Sequence, residues 1–468
     1  MQPLTVGEIA KVTGGQVISG DASTTVTGVS TDSRQLKPGY LFVALPGERV
    51  DGHVFVSPSL KGPAAAAVVS QDKAYICPPG KAIVRVASTG QALLQLAAWY
   101  RSKWPVRTVA VTGSTGKTTA KDLTAQVLSC SYRTLKSPGN LNTEVGLPLT
   151  LFNLAPEHQV AVVELAMRGP GQIAALTQVA RPEVGVITNV GVAHIELLGS
   201  QENIARAKGE LLENLPSDGL AVLNGDDPLV RNQAVRSRSP VMFFGLGPNV
   251  DFKATNIKAM GTKGLSFIVV GPSGREEIQL PLVGRFNVLN SLAAIAVGHY
   301  FGLTLPEMAA ALSKVQPVAM RLNLIERSDG TLIIDDVYNA NPVSMRGALE
   351  TLADLAQGRR TVAVVGDMLE LGEWGPEAHR QVGEQAAALG VDCLIIGGSL
   401  AQQVAQGATD AGMDPSSIFT CCDAAQVAVV AQGQVQPGDV VLVKASRGMQ
   451  FEQVVTVLKT EGRPNSSC

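Results

Sequence analysis

The chain has 468 residues and a formal net charge of −2. At roughly 150 residues per domain, this length predicts about three domains. The near-balance of charge gives no electrostatic reason to expect nucleic acid or an anionic membrane as a partner, and no apolar run approaches the roughly 20 residues that span a bilayer. The 45% apolar and 4% aromatic content, with 48 glycines, is typical of an α/β enzyme. Six cysteines without paired C-x-x-C spacing, and an N-terminus unlike a signal peptide, predict a cytoplasmic protein with reduced thiols.

The first segment, residues 1–86, alternates short β-rich runs with glycine and proline turns. Small hydroxyl and charged residues cluster in its loops; they are Ser30, Asp32, Ser33, Arg34, Asp51 and His53. Composition alone favours an ordinary solvated hairpin loop for them. A helical pattern then runs from Ser88 to Trp104, with Ser88 or Thr89 as its cap.

The most informative stretch follows at residues 108–128. Thr108 to Val111 is a β-branched apolar run that predicts a buried strand, and a helical pattern with Leu123 and Leu128 on one face comes later. The glycine loop between them predicts a phosphate-binding loop before a helix N-terminus; it consists of Gly113, Ser114, Thr115, Gly116, Lys117, Thr118 and Thr119. Lys117 would reach phosphates and Thr118 would ligate Mg²⁺. Val111 stands where a strict G-x-x-x-x-G-K-[ST] motif has glycine.

Several further apolar strands run into polar loops, which predicts a doubly wound, mostly parallel sheet. Ligands of such sheets lie beyond the carboxyl ends of the strands. Thr118, Glu164 and His194 all fall at that edge, and together they form a plausible set of ligands for a divalent cation. Singly, a glutamate there is more often a cap or ion-pair partner, and a histidine an ordinary surface residue.

Lys208 lies on the apolar stripe of a helix predicted from Ser200 to Leu215, four residues from both Ile204 and Leu212. The residues alone favour a lysine whose ammonium reaches water. The alternative is a partly desolvated lysine turned towards the nucleotide edge, whose neutral amine could form a carbamate with CO₂.

Asn287 and Asn290 are i, i+3 neighbours at the start of an alanine-rich helix. Their amides match the donors and acceptors of adenine, but helix capping explains them about equally well. Beyond a linker at residues 315–317, the chain again alternates strands and helices, which predicts a second open sheet. Polar residues at its strand ends either close over a nucleotide or form turns and ion pairs.

Taken together, these stretches resemble the Mur ligases, the ATP-dependent amide-forming enzymes of peptidoglycan precursor synthesis. The resemblance covers essentially the whole chain and rests on TGSTGKTT, GNLNTEVGLPLTL, ELAMRGPGQI, ARAKGEL, GRFNVLNSLAA, IIDDVYNANPVSM, VVGDMLELG and VKASRG. DDVYNANP and GDMLELG point to the member that joins D-alanyl-D-alanine to UDP-N-acetylmuramoyl-tripeptide. The D-N-P-R signature of the diamino-acid-adding member does not occur in the sequence.

The resemblance implies an α/β fold of three domains: a small UDP-sugar-binding domain (1–86), a central doubly wound P-loop-type ATPase domain (87–317) and a C-terminal Rossmann-like domain (318–468). It implies ATP, two Mg²⁺ ions and a monomeric enzyme that acts through an acyl phosphate. Thr118 and Glu164 would bind one ion, and His194 with a carbamylated Lys208 the other, with Lys117, Lys208 and His194 acting in catalysis.

The resemblance also implies ligand contacts. The nucleotide would meet Gly113 to Thr119, Asn287, Asn290, Arg321 and Asp336. The substrates would meet Ser30, Asp32, Ser33, Arg34, Asp51, His53, Asn140, Asn142, Asn339, Asn341, Lys444, Ser446 and Arg447. The sequence departs from the usual family pattern at Phe286, Ala445 and Met320, and in the run Ala166-Met167-Arg168. The alternatives are another amide ligase of the same architecture, such as a folylpolyglutamate synthase or the diamino-acid-adding ligase, and a nucleotide-driven regulatory switch.

Overall fold

The computed structural model describes residues 1–47, 50–192 and 195–460. They form a five-stranded, a nine-stranded and a six-stranded sheet, with one two-stranded ribbon. The three main sheets follow one another along the chain, and helices connect their strands. The predicted α/β class is therefore confirmed.

The first segment folds around the sheet of order β2-β7-β6-β5-β4, which is parallel except for the β2–β7 pair. Its strands are β1 (Leu4–Thr5), β2 (Gln16–Ser19), β3 (Thr25–Val26), β4 (Gly28–Ser30), β5 (Tyr40–Val43), β6 (Ala64–Val69) and β7 (Ala82–Arg85). Its helices are α1 (Val6–Thr13) and α2 (Val56–Lys61), with 3₁₀ turns at Ser33–Gln35 and Gly52–Phe55.

The central segment holds the sheet of order β16-β15-β14-β13-β12-β11-β8-β10-β9, in which β8 to β14 pair in parallel. Its strands are β8 (Arg107–Thr112), β9 (Thr134–Lys136), β10 (Val160–Glu164), β11 (Val184–Ile187), β12 (Leu220–Asn224), β13 (Val241–Gly245), β14 (Phe252–Ala259), β15 (Leu265–Gly271) and β16 (Gly274–Leu280). Its helices are α3 (Thr89–Ser102), α4 (Lys117–Leu128), α5 (Gly146–Leu151), α6 (Gln172–Ala180), α7 (Ile195–Leu198), α8 (Gln201–Glu213), α9 (Pro228–Arg231), α10 (Phe286–Tyr300) and α11 (Leu305–Leu312).

The last segment builds the sheet of order β17-β18-β22-β19-β20-β21, parallel except for the β17–β18 pair. Its strands are β17 (Asn323–Glu326), β18 (Leu332–Asp335), β19 (Thr361–Gly366), β20 (Cys393–Gly397), β21 (Ile418–Cys421) and β22 (Val440–Lys444). Its helices are α12 (Pro342–Ala356), α13 (Gly375–Ala388), α14 (Ala401–Asp410), α15 (Ala424–Gln434) and α16 (Glu452–Lys459).

Burial explains why these stretches form these elements. The apolar run of β8 is buried because helices cover both faces of the sheet. The Ser88 hydroxyl accepts a hydrogen bond from the Gln91 N–H and so caps α3, and Ser200 caps α8 in the same way through Asn203. Both predicted caps are confirmed. The sequence reasoning missed the antiparallel extension β14-β15-β16.

Contacts between the segments bring the strand ends together. Tyr100 of α3 accepts a hydrogen bond from the Gln2 N–H and donates one to the Leu154 carbonyl, which ties the first segment to the second. The last segment meets the central one through the Arg285–Asp354 ion pair at 3.0 Å. Within the ranges described, no helix is long and apolar enough to cross a membrane.

Candidate active site

The glycine loop between β8 and α4 has a backbone that side chains would disrupt. A Cβ on Gly113 would lie 1.9 Å from the Thr188 hydroxyl, and one on Gly116, where φ is +77°, would lie 2.5 Å from the Asn290 amide oxygen. The loop is fixed from β11, since the Asn189 carbonyl accepts from the Ser114 N–H at 2.9 Å. The Asn189 side chain also accepts from the Thr115 N–H at 2.8 Å. This rigid curl at a helix N-terminus has the form of a phosphate cradle.

Lys117 begins α4 and folds back over the loop. Its ammonium donates to the carbonyls of Gly113, at 2.9 Å, and Ser114, at 3.2 Å. Burial lowers the pKa of Lys117, the Glu164 carboxylate opposes this, and the Arg321 guanidinium adds to it. A cation held at this point is placed to meet phosphate oxygens.

The Glu164 carboxylate lies at the carboxyl end of β10 and is 1% exposed. It accepts a hydrogen bond from the Thr118 hydroxyl at 2.7 Å and another from the Asn142 amide at 2.7 Å. Arg321 of the last segment donates to the Thr118 hydroxyl at 3.0 Å and stacks 4.0 Å above the Tyr338 ring. The strand register explains the convergence: Glu164 pairs with Val111, two residues before the glycine loop.

Lys208 is buried in α8, on the same stripe as Ile204 and Leu212. It has no hydrogen-bond or ion-pair partner among the described residues. Burial lowers its pKa well below the ordinary value, and the nearby positive charge of Lys117 lowers it further. The alternative of a lysine head in bulk water is therefore wrong. His194, predicted to act beside Lys208, lies outside the described residues.

Asn287 and Asn290 are buried in the first turns of α10, facing the glycine loop. The Asn290 amide donates to the Asn287 side-chain oxygen at 3.0 Å, and the Asn287 amide donates to the Val283 carbonyl at 2.7 Å. The helix-capping alternative is wrong, because α10 begins at Phe286 and its N-cap position is Arg285.

The predicted residues of the last segment line the opposite wall. The Lys444 ammonium pairs with Asp336 and donates to the Asn339 carbonyl at 2.9 Å. Asn341 caps α12 by accepting from the Ser344 N–H at 2.9 Å. The Leu369 N–H donates to the Ser446 hydroxyl at 2.9 Å. The Arg447 guanidinium donates to the Met320 sulfur at 3.0 Å. Internal contacts thus already use several of these side chains.

A cavity of about 940 Å³ lies between the central and last segments. Predicted residues on its walls are Ser114, Thr115, Gly116, Lys117, Thr118, Thr119, Asn140, Asn142, Glu164, Asn287, Asn290, Arg321, Asp336, Asn339, Asn341, Lys444, Ser446 and Arg447. Gly113 and Lys208 are buried and are not among the residues that line this cavity. The structure therefore brings together most of the residues that the sequence singled out.

The predicted residues of the first segment do not line this cavity. The Asp32 carboxylate forms an ion pair with the exposed Arg34 guanidinium at 2.8 Å, and the Ser30 hydroxyl donates to the Asp32 carbonyl. Ser33 lies in the 3₁₀ turn that follows Asp32. The His53 ring is buried: its Nδ1 lies 2.6 Å from the Asp51 carboxylate and its Nε2 accepts from the Ser70 N–H at 2.9 Å. Both ring nitrogens of His53 thus have partners within the protein.

Lys121 is a functional candidate that sequence reasoning missed. Its side chain is fully buried in α4, one turn after Lys117, and its ammonium donates to the Ser137 and Gly139 carbonyls at 2.8 Å each. These carbonyls belong to the loop that carries Asn140 and Asn142. The i, i+4 spacing from Lys117 was the available signal, because it places both lysines on one helix face.

The donor set fits a nucleotide and a magnesium ion. The glycine loop leaves no room for a Cβ, and Thr118 and Glu164 supply the oxygen ligands that Mg²⁺ prefers, with phosphate oxygens and water to complete its shell. In the part of the chain that the structure describes, no group of three or more His, Cys, Asp and Glu residues forms a metal cluster.

Comparison with known proteins matches all three segments. Residues 25–101 match the family described as "Mur ligase family, catalytic domain", residues 111–298 the "Mur ligase middle domain", and residues 320–447 the "Mur ligase, glutamate ligase domain". The UDP-N-acetylmuramoyl-tripeptide–D-alanyl-D-alanine ligase of Escherichia coli is 38% identical over 99% of this chain and 100% of that protein.

Two solved structures are similar to this chain over nearly its whole length. MurF from Acinetobacter baumannii is 30% identical, with a TM-score of 0.88 over 98% of this chain and 99% of that chain. The MurF ligase of Thermotoga maritima in complex with ADP is 30% identical, with a TM-score of 0.81 over 93% of this chain and 97% of that chain.

Proposed function

This chain belongs to the Mur ligase family, and we propose that it joins D-alanyl-D-alanine to UDP-N-acetylmuramoyl-tripeptide. The products are UDP-N-acetylmuramoyl-pentapeptide, ADP and phosphate, in peptidoglycan precursor synthesis. The observation that carries the proposal is the meeting of the glycine loop, Glu164 and Arg321 at one cavity. The full-length similarity to ligases named for this reaction supports it.

The chemistry requires a carboxylate to be activated before an amine can displace its oxygen. The tripeptide carboxylate attacks the γ-phosphate of ATP to give an acyl phosphate, the dipeptide amine attacks the acyl carbon, and phosphate leaves. Lys117 offsets the negative charge that gathers on the phosphates in this step. Its position over the glycine loop, held by the Gly113 carbonyl, supports this role.

Thr118 and Glu164 would hold a magnesium ion, which when bound neutralises phosphate charge and orients the γ-phosphate. Their hydrogen bond at 2.7 Å supports this proposal, because it holds the two side-chain oxygens close to each other. Asn142 keeps the carboxylate oriented through its amide. These three residues form the proposed first metal site.

We place the second ion at His194 and a carbamylated Lys208. Burial and the nearby charge of Lys117 lower the pKa of Lys208 and so shift its equilibrium towards the neutral amine, which adds CO₂ while releasing a proton. The carbamate would supply an anionic oxygen where the lysine itself could not bind a cation. Lys208→Arg cannot form this adduct, so full activity in that variant, or no carbamate carbon signal after incubation with ¹³C-bicarbonate, would refute this part.

Asn287 and Asn290 would contact adenine, and Arg321 and Asp336 would reach the nucleotide from the last domain. The convergence of both walls on one cavity supports a closed state that excludes water from the acyl phosphate. We assign the acceptor dipeptide and the peptide stem to the loops with Asn140, Asn142, Asn339, Asn341, Lys444, Ser446 and Arg447.

The UDP-sugar would bind the first domain near Ser30, Asp32, Ser33, Arg34, Asp51 and His53. The domain boundaries at residues 86/87 and 317/318 stay a proposal, supported by three sheets whose strands span Leu4–Arg85, Arg107–Leu280 and Asn323–Lys444. We propose that the enzyme acts as a monomer, as the family resemblance implies. We propose a cytoplasmic location because ATP and nucleotide-linked precursors are found there.

The test is ADP release by the purified protein with UDP-N-acetylmuramoyl-tripeptide, with and without D-alanyl-D-alanine. Ligation predicts release that depends on the dipeptide and a product of pentapeptide mass. Release indifferent to the dipeptide would contradict ligation. Parallel reactions with a free diamino acid and UDP-N-acetylmuramoyl-dipeptide, or with folate and glutamate, separate this activity from the related amide ligases.

A further inference from the structure

Arg168 lies on the wall of the cavity, in the loop that follows the Glu164 strand. Its guanidinium has no hydrogen-bond or ion-pair partner among the described residues. Three other cations around the cavity have partners: Lys117 contacts the glycine loop, Arg321 contacts Thr118, and Lys444 pairs with Asp336. Arg346, on the wall formed by the last segment, likewise has no partner among the described residues. A cation left without a partner on a ligand-sized cavity points to an anionic group on the ligand.

The loop itself is fixed, so the placement of Arg168 is not accidental. The Gln172 side chain accepts from the Arg168 N–H at 2.6 Å and from the Gly169 N–H at 3.1 Å. Glu210, from α8, accepts from the Gly171 N–H at 2.7 Å. Met167 is buried in the core while Arg168 is exposed. The backbone is therefore held from two sides, and the exposed Arg168 side chain lines the cavity.

The position of Arg168 relative to Glu164 indicates which anionic group of the substrate its guanidinium could bind. The Ala166 N–H donates to the Asn142 carbonyl at 2.9 Å, and the Asn142 amide holds Glu164. Arg168 therefore lies four residues after Glu164, on the cavity where the proposed reaction activates the carboxylate of the tripeptide's third residue. The side chain of that third substrate residue begins one carbon away from the activated carboxylate.

We propose that Arg168 binds a second carboxylate on the third residue of the tripeptide, so that the enzyme prefers 2,6-diaminopimelate over lysine there. The end of a diaminopimelate side chain carries a carboxylate and an ammonium, while lysine carries an ammonium alone. A guanidinium forms charge-assisted hydrogen bonds with the carboxylate and repels an isolated ammonium. The inference rests on the proposed ligase function.

The experiment measures kcat/KM for both tripeptides at saturating ATP and D-alanyl-D-alanine. The wild type should favour the diaminopimelate form, and Arg168→Gln should reduce that preference about tenfold, the effect of losing one charge-assisted bond at a partly solvated site. Arg168→Lys should retain part of it. Arg346, another arginine on the cavity wall and carried by α12, provides the matched control: Arg346→Gln should leave the ratio of the two substrates unchanged.

Binding of each tripeptide to the nucleotide-free protein, measured by calorimetry, gives a readout besides turnover and should show the same ratio of affinities. Turnover of both tripeptides with equal efficiency, or a preference that survives Arg168→Gln, overturns the role of Arg168 but leaves the ligase function standing. Turnover of neither tripeptide overturns the ligase function, and the inference with it. Because Arg168 is exposed, its variants should fold as the wild type does.

Discussion

Replacing Lys121 with methionine should destabilise the protein and loosen the loop that carries Asn140 and Asn142. The methionine matches the length of the lysine but cannot donate, so the Ser137 and Gly139 carbonyls lose their partner. Two hydrogen bonds from a charged donor contribute about 3–6 kcal/mol together. Removing a buried charge, whose pKa burial already lowers, offsets part of this. We expect a net loss of about 2–4 kcal/mol in the free energy of unfolding.

The assay is urea unfolding followed by circular dichroism, with Lys136→Met as the matched control. Lys136 pairs with Asp122 at 2.8 Å, but its side chain is 53% exposed, and the same carboxylate lies 3.7 Å from the Lys121 ammonium. An exposed pair of this kind contributes at most about 1 kcal/mol. A midpoint for Lys121→Met no lower than that of Lys136→Met, at equal slope, would show that the two carbonyl contacts do not stabilise the fold.

The same substitution should affect catalysis more than nucleotide binding. The loop held by Lys121 presents Asn142 to Glu164, whereas the glycine loop is anchored independently by Thr188 and Asn189. We therefore expect a larger loss in kcat/KM for the tripeptide than in the affinity for ADP.

Gly116→Ala should abolish nucleotide binding in a fluorescent-ADP titration, because its Cβ meets the Asn290 amide oxygen, while Gly139→Ala, also at positive φ but with nothing within 4 Å, should bind normally. Arg321→Lys should raise the KM for ATP about tenfold at unchanged thermal stability, since a lysine loses both the planar stack on Tyr338 and one charge-assisted bond; an unchanged KM would contradict the proposed contact. Hydrogen bonds from the backbone N–H of His53, and then from its ring, lower the pKa of Asp51 to about 2. The Asp51 carboxylate therefore stabilises the folded state fully above its unfolded pKa of about 3.9, and this stabilisation is lost as the pH falls through about 2. The difference in urea midpoint between wild type and Asp51→Asn should accordingly shrink from about pH 5 towards about pH 3, and a difference independent of pH would contradict the assignment.

Local sequence pattern was enough to predict the glycine loop and the elements on either side of it. The strand, glycine loop and helix around Lys117 were predictable because each depends on residues close in sequence: a β-branched run, two glycines and an apolar helical face. The placement of Thr118 and Glu164 at one sheet edge followed from the rule that parallel strands end on the same side.

Other features were not visible in the sequence. The β14-β15-β16 extension went unrecognised because its strands at the sheet edge alternate polar and apolar residues only weakly. The role of Lys121 was missed because its acceptors are backbone carbonyls about 16 and 18 residues away, and carbonyls leave no trace in side-chain identity. Nor could sequence separate the two interpretations of Asn287 and Asn290 until the start of α10 at Phe286 removed capping.

The sequence by itself determined the α/β class, the phosphate loop and the family, because these depend on short stretches whose residue types are dictated by local backbone and phosphate chemistry. Only the tertiary structure decided that Lys208 is buried without an attractive partner in the described chain, that Arg321 reaches across to Thr118, and that Arg168 faces the cavity without a partner there. Burial and charge pairing depend on what distant segments bring to a residue, and the packing of the three sheets against one another is what supplies those neighbours.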